Sequence, residues 1–294
     1  MVKTTLLLTI LLAAGFTASR PPAPPAVPFG YPDGVAVDAA GNVYVVDTDN
    51  HAVQKVSPTG EVKLLTDSAL TYPTGIAVSA AGLVYVADAG THRIVRISPE
   101  GQVTTLAHSR SLVYPTALCL DSVGNLYLAD AGAAPHSGTV QKVSLRGALT
   151  TLAAGFNKPT GIALAPGGLL YVADTENNTI KQVTATGQVT VLATGLNHPR
   201  GLALEASGTL VVADTYGNSI RRVSPTTGQV TPLADGFRFP AGVATDRAGA
   251  VYVSDTGSGS LRKISPAGLV STLAGGSPPV PAASTADSTS TTKQ

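Results

Sequence analysis

Tryptophan is absent from this chain, and its 294 residues include one cysteine and one methionine. A single cysteine excludes an intramolecular disulfide. Only 13% of the residues are charged, and 19 basic against 18 acidic side chains leave a formal charge of +1. Without an excess of one sign there is no global field to draw the chain to nucleic acid or to an acidic membrane. No His-x-x-x-His or Cys-x-x-Cys pair occurs, so a compact zinc signature is missing, though spacing leaves open ligands gathered from separate repeats. The one apolar stretch, Leu6 to Phe16, is well short of the roughly 20 residues a membrane span needs. Proline (21) and glycine (31) are plentiful, and no long stretch of 3.6-residue periodicity follows residue 20, which argues against a helix-rich fold.

What is present is a repeat. Pro32, Pro73, Pro115, Pro159, Pro199 and Pro240 each precede, by fifteen positions, an aspartate: Asp47, Asp88, Asp130, Asp174, Asp214 and Asp255. The spacing from Pro to Asp never varies, while the repeat period wanders through 41, 42, 44, 40 and 41 residues. A period of about 40 to 45 residues with several short strands per unit is a propeller signature, each unit burying its apolar faces only by stacking on its neighbours. Within the second unit the alternation of β-branched residues predicts strands at about 75–78, 83–87, 94–97 and 103–107. The sixth unit keeps its own fourth strand, so the ring is expected to close by packing of blade 1 on blade 6, without a strand borrowed from the N-terminus. The expected fold is an all-β, six-bladed propeller of four-stranded antiparallel blades over residues 29–275.

Segments such as Pro159-Thr-Gly-Ile-Ala-Leu followed by Leu170-Tyr-Val-Ala-Asp-Thr-Glu-Asn-Asn-Thr-Ile-Lys-Gln-Val resemble NHL repeats, over about residues 29–275. The resemblance implies the propeller and leaves the activity open, since such repeats occur in enzymes, sensor domains, RNA binders and structural ectodomains.

Outside the repeats, residues 1–19 read as a secretory signal peptide: Lys3, the apolar stretch, then Thr17, Ala18 and Ser19. No cysteine follows, which disfavours a lipoprotein. Residues 20–28 read as a Pro-rich linker and 276–294 as a disordered Ser/Thr/Pro-rich tail. The expectation is a secreted or periplasmic monomer with no integral membrane segment in the mature chain.

A functional site has no reason to recur six times around a ring, so template positions are read as scaffold. Cys119 stands where other repeats carry alanine and is read as a small packed residue. The six aspartates are expected to accept backbone N–H groups from the turn that follows each of them. His51 and His92 share a register with Asn178 and Asn218 and are read as turn residues, and Lys55, Arg96, Lys142, Arg222 and Lys263 as a solvated belt. Departures from the template point to function. Blade 3 carries four extra residues in the loop 131–139, and the links before Pro73 and Pro115 run eleven and twelve steps from the start of the preceding strand, against ten later. These insertions share one face, where aromatic and polar residues flank each proline. The candidate ligand- or partner-binding residues are Asp33, Tyr72, Tyr114, His136, Glu176, His198, Arg200 and Tyr216; no catalytic residue, metal ligand or cofactor is assigned.

The chain is therefore read as a non-catalytic scaffold that binds a protein, peptide or glycan through its insertion-bearing face, similar to extracytoplasmic bacterial NHL-repeat proteins and the NHL sensor domains of receptor kinases. The alternative is a metal-dependent propeller lyase or lactonase-like hydrolase. Amidating lyases of the family place metal-binding histidines directly after the first-strand proline. Here those places hold Asp33, Thr74, Thr116, Thr160, Arg200 and Ala241.

Overall fold

The computed structural model describes residues 28–66 and 69–276. The expected signal, nearly all of the linker, and the tail beyond residue 276 lie outside the described residues. Six separate four-stranded antiparallel sheets follow one another along the chain, each ordered by sequence. Blade 1 comprises Pro32–Val37, Val43–Asp47, Ala52–Val56 and Val62–Thr66; blade 2 comprises Pro73–Val78, Val84–Asp88, Arg93–Ile97 and Val103–His108. Blades 3 to 6 begin with Pro115–Leu120, Pro159–Leu164, Pro199–Leu204 and Pro240–Thr245, and blade 6 ends with Val270–Gly275. Strands start on the proline and end on the aspartate, slightly beyond the expected limits.

The invariant Pro-to-Asp spacing has a direct cause. Each proline is the cross-strand partner of its aspartate, as in Pro32↔Asp47, Pro159↔Asp174 and Pro240↔Asp255, with a register shift following the proline. Proline is tolerated there because it opens the strand, where its missing N–H breaks no ladder.

The core is divided into six apolar clusters, one between each pair of adjacent blades. Val43, Val45 and Val56 of blade 1 pack with Ala244, Tyr252 and Leu261 of blade 6, so the ring closes by packing between the first and last blades, as expected. The other clusters join the remaining pairs. Cys119 packs in one of these, between blades 3 and 4, where burial pushes its thiol well above the ordinary range. First strands crowd the axis: a Cβ on Gly161 would lie 2.0 Å from the carbonyl of Arg200 in the next blade, so only glycine fits.

Polar contacts complete each blade interface. A threonine hydroxyl donates to the carbonyl of the next blade's first-strand proline at all six joints: Thr48 to Pro73, Thr74 to Pro115, Thr116 to Pro159, Thr175 to Pro199, Thr215 to Pro240 and Thr256 to Pro32, at 2.6 to 2.8 Å. In four blades this threonine follows the aspartate. Where alanine stands there instead, at Ala89 and Ala131, the residue after the proline supplies the hydroxyl, Thr74 or Thr116.

The aspartates differ from the sequence expectation. They accept N–H groups chiefly from the link entering their own blade, not from the turn that follows. Tyr31, Tyr72 and Tyr114 donate to Asp47, Asp88 and Asp130 at 2.9 to 3.1 Å. Asn157, Asn197 and Arg238 donate to Asp174, Asp214 and Asp255, each at 2.6 Å. The reason is cross-strand pairing, which puts each carboxylate beside the residues preceding its proline. Only Asp130 also accepts a backbone N–H of the following turn, from Gly132 at 2.8 Å; in four other blades that turn contributes a side-chain donor instead, Asn50 to Asp47, Thr91 to Asp88, Asn177 to Asp174 and Ser258 to Asp255. The expected turn chemistry belongs instead to Asp38, Asp121 and Asp246, which accept from their own hairpin turns on the opposite face.

The second carboxylate oxygen is taken by Gln54 and Asn50 in blade 1, Arg93 in blade 2, Lys181 in blade 4, Arg221 in blade 5 and Arg262 in blade 6. In blade 3 that oxygen of Asp130 is buried without a partner. The corresponding side chain, Gln141, turns to Thr139 and Ser111 instead.

Thermal or urea unfolding should separate two pairs of variants. Thr256→Val leaves the Pro32 carbonyl unpaired and should cost about 1–2 kcal/mol. Thr175→Val should cost less, because the Thr160 hydroxyl lies 2.6 Å from that of Thr175 and can take over the joint. Asp174→Asn breaks a buried ion pair with Lys181 and should cost about 3 kcal/mol or more. Asp130→Asn should cost nearer 1 kcal/mol, since it replaces a carboxylate oxygen that has no partner by a neutral group that is cheaper to bury.

Candidate functional site

The central channel is lined by the first strands, and its free space is about 60 Å³, room for waters and not for an organic ligand. The residues after the six prolines ring this channel. Four of them, Thr74, Thr116, Thr160 and Ala241, are uncharged. The other two meet across it: Arg200 Nη2 donates to both carboxylate oxygens of Asp33, at 2.9 and 3.1 Å. These positions are free to be charged because the joints of blades 1 and 5 are held by Thr48 and Thr215. Burial pushes the Asp33 carboxyl above its ordinary value and the facing guanidinium opposes that rise. Burial likewise works against the charge on Arg200, but Asp33 and the Tyr31 hydroxyl outweigh it and hold the guanidinium protonated.

Above the pair, on the face formed by the links into each blade and the loops between second and third strands, lies an open cleft of about 620 Å³. Its walls are Tyr31, His198, Tyr216 and Phe239, with Arg200 at its base and threonine hydroxyls from blades 4 to 6. His198 stacks on Tyr216 with ring centroids 4.2 Å apart and planes 26° from parallel, and Tyr216 meets Phe239 edge-on at 6.0 Å. His198 Nε2 lies 3.5 Å from Glu176 Oε2. Tyr216 and Phe239 are more than half exposed, at 53% and 54%. On the other side of the channel Tyr72 and Tyr114 lean together at 6.1 Å. Burial, the Tyr72 hydroxyl and the nearby charge of Asp33 push the Tyr114 phenol upward.

The asymmetry between the two sides comes from link length. In blades 1 to 3 the residue before the proline is a tyrosine whose own N–H donates to the aspartate and whose carbonyl accepts from the residue after that aspartate, as the Tyr72 carbonyl does from Ala89 N–H at 2.9 Å. In blades 4 to 6 the entering links are one or two residues shorter than those into blades 2 and 3. The contact with the aspartate then shifts one residue back, to Asn157, Asn197 and Arg238, and the residue before the proline is driven into the left-handed region: Lys158 at φ 54, His198 at 52 and Phe239 at 52. That turn aims His198 and Phe239 over the channel mouth.

Of the residues singled out from sequence, the structure brings Asp33 and Arg200 into contact and gathers Glu176, His198 and Tyr216 beside them. Tyr72 and Tyr114 form a separate pair. His136 sits exposed in the loop 131–139, at φ 59, and takes no part in the cleft. The insertions at blades 2 and 3 share the cleft's face, yet the cleft lies over blades 4 to 6 and blade 1. Tyr31 and Phe239 complete its wall and were outside the candidate set; an aromatic residue directly before a template proline was their signal. His51 and His92 take left-handed φ values of 53 and 54 in turns, as read from the sequence. Of the belt, Lys55, Lys142 and Lys263 lie over tyrosine rings and Arg222 pairs with Glu205.

The metal required by a lyase or lactonase reading does not fit this ring. Its one carboxylate is already held by a guanidinium, whose charge repels a cation. Among the described residues no group of three or more His, Cys, Asp or Glu side chains converges.

Comparison with known proteins fits the geometry. The NHL repeat profile matches residues 29–56, 70–97 and 156–183. No curated protein sequence matches significantly. Among solved structures, a gluconolactonase of Xanthomonas campestris superposes with TM-score 0.71 at 19% identity, covering 83% of this chain and 86% of its own. A streptogramin B lyase gives 0.65 at 17%, covering 84% and 83%. A chain of a nidogen–laminin complex gives 0.68 at 21%, covering 76% and 90%. At these identities the likeness concerns the fold alone.

Arg200→Ala should destabilise the protein by about 3 kcal/mol near neutral pH, because it leaves Asp33 buried without a partner. Its folded-state pKa then lies further above the unfolded value of about 3.9, so the deficit grows as pH rises through that value and shrinks below about pH 4. Adding Asp33→Asn should restore most of the loss; chemical denaturation across pH checks both.

Proposed function

We propose that this NHL-repeat propeller is an exported, non-catalytic binding module that takes its ligand or partner at the mouth of the central channel. The observation that carries the reading is the Asp33–Arg200 pair beneath exposed aromatic walls. It neutralises the one carboxylate of the channel ring, leaving no free base or cation site at the axis, and keeps the organic ligand above the channel. Exposed tyrosine and phenylalanine around a cleft of this size are what a binding site requires: apolar area that is little disordered in the free state, with a few polar groups to orient the ligand. A protein, peptide or glycan meets these terms. Nucleic acid is disfavoured by the near balance of charge. The nidogen–laminin neighbour is compatible with a binding role. The lyase and gluconolactonase neighbours support the alternative of an enzyme, and the residues of the channel ring weigh against it.

The test is a thermal-shift screen of the purified chain against peptides, glycans and small metabolites, followed by NMR of each hit and elemental analysis of the protein. Hits should raise the melting temperature, remain chemically unchanged on long incubation, and lose their effect in Tyr216→Ala. Turnover of a hit, or stoichiometric metal whose removal abolishes that turnover, would establish the enzyme instead.

A further inference from the structure

We infer that the cleft over blades 4 to 6 is a site for a carboxylate ligand with a flat apolar body. The inference rests on the binding reading above and names the chemistry of its ligand.

The backbone is strained along the wall of the cleft. Lys158, His198 and Phe239 adopt left-handed φ values of 54, 52 and 52 directly before prolines. Side chains with a Cβ are disfavoured in that region, and a following proline restricts the residue further. Glycine would relieve the strain at each place, and glycine is abundant elsewhere in this chain at positive φ. Phe239 cannot be explained by burial, being 54% exposed. A strained, bulky, exposed aromatic residue is the kind of feature that ligand contact accounts for. The neighbouring Tyr216 is 53% exposed and stands edge-on to it, which leaves ring surface of both residues open to the cleft.

Charge at the base of the cleft selects the group that docks there. Nη2 of Arg200 is spent on Asp33, and the Tyr31 hydroxyl also faces the guanidinium. Nε and Nη1 donate to no carbonyl or carboxylate among the described residues, and the side chain lines the cleft, so donors remain for a ligand. Among the residues that line the cleft Arg200 is the one with a fixed charge, and it is positive. An acceptor bearing negative charge matches open guanidinium protons best, because charge-assisted hydrogen bonds are the stronger ones. A cationic ligand would meet the guanidinium at the base of the cleft, so the aromatic walls do not act as a cation cage. Tyr31, Tyr216 and Phe239 then bracket the apolar body while the carboxylate points down to Arg200. Such a group comes either from a small free acid or from the C-terminus of a peptide ending in an aromatic residue.

The experiment is calorimetric titration of the full chain with N-acetyl-phenylalanine, its primary amide, benzyltrimethylammonium, and the peptide Gly-Gly-Gly-Phe. The acid is expected to bind about tenfold or more tightly than the amide, and the ammonium ion not at all. Phe239→Gly should weaken the acid by a similar factor while the melting temperature holds or rises, a combination that a purely structural phenylalanine would not produce. The double variant Asp33→Asn/Arg200→Gln, which leaves no buried charge unpaired, should erase the preference for acid over amide. Tighter binding of the peptide than of the free acid identifies a chain terminus as the source; equal or weaker binding identifies a small acid. If acid and amide bind alike and both are weakened by Phe239→Gly, the carboxylate assignment fails while the binding reading stands. If no probe binds at millimolar concentration, the carboxylate assignment fails, and the broader screen decides the binding reading separately.

Discussion

Six hydroxyl-to-carbonyl hydrogen bonds tie this ring together, one from a threonine of each blade to the first-strand proline of the next. Each first-strand proline turns its carbonyl into the joint with the neighbouring blade, where a threonine hydroxyl reaches it. Buried backbone acceptors without partners are costly, so each joint needs a donor. Apolar packing between blades supplies most of the cohesion, but it is non-directional. The threonine contacts give each interface its registration, including the joint where Thr256 returns to Pro32 and the chain closes on itself.

This constraint also decides where the chain is free to vary. The donor comes from either of two positions, the residue after the aspartate or the residue after the proline. Where the first position holds threonine, the second is released from structural duty. Blades 1 and 5 use that freedom for Asp33 and Arg200, which meet across the channel. Link length acts in the same way. The shorter links of blades 4 to 6 cannot reach their aspartates in extended form, so they fold through a left-handed residue, and the side chains of His198 and Phe239 are carried over the channel mouth. Length differences outside the strands therefore shape the site more than the conspicuous insertion at 131–139 does.

A lyase, a gluconolactonase and a chain of a protein–protein complex share this fold, so the fold does not choose a function and the residues of one ring carry the proposed reading. A catalytic centre at the axis needs a free base or a bound cation. Here the axis holds a neutralised pair and a space fit for water, with the open volume displaced to one side above it. That displacement is what the proposed binding reading uses, a rigid scaffold offering aromatic area and one oriented charge.

The sequence by itself determined the six blades, their four strands and the closure between first and last, because hydrophobic alternation and an invariant Pro-to-Asp spacing are local properties that survive in one dimension. It also marked Asp33 and Arg200, since both break a column otherwise held by threonine or alanine. It misassigned the donors to the strand-ending aspartates, because pairing with a residue sixteen or seventeen positions upstream looks no different in sequence from a turn that follows. Only the tertiary structure decided that Asp33 and Arg200 touch, that Glu176, His198 and Tyr216 join Tyr31 and Phe239 in one wall, and that His136 stands apart. Those outcomes depend on the curvature of the ring and on left-handed turns forced by link length, which set distances between residues of different blades and leave no periodic trace in the chain.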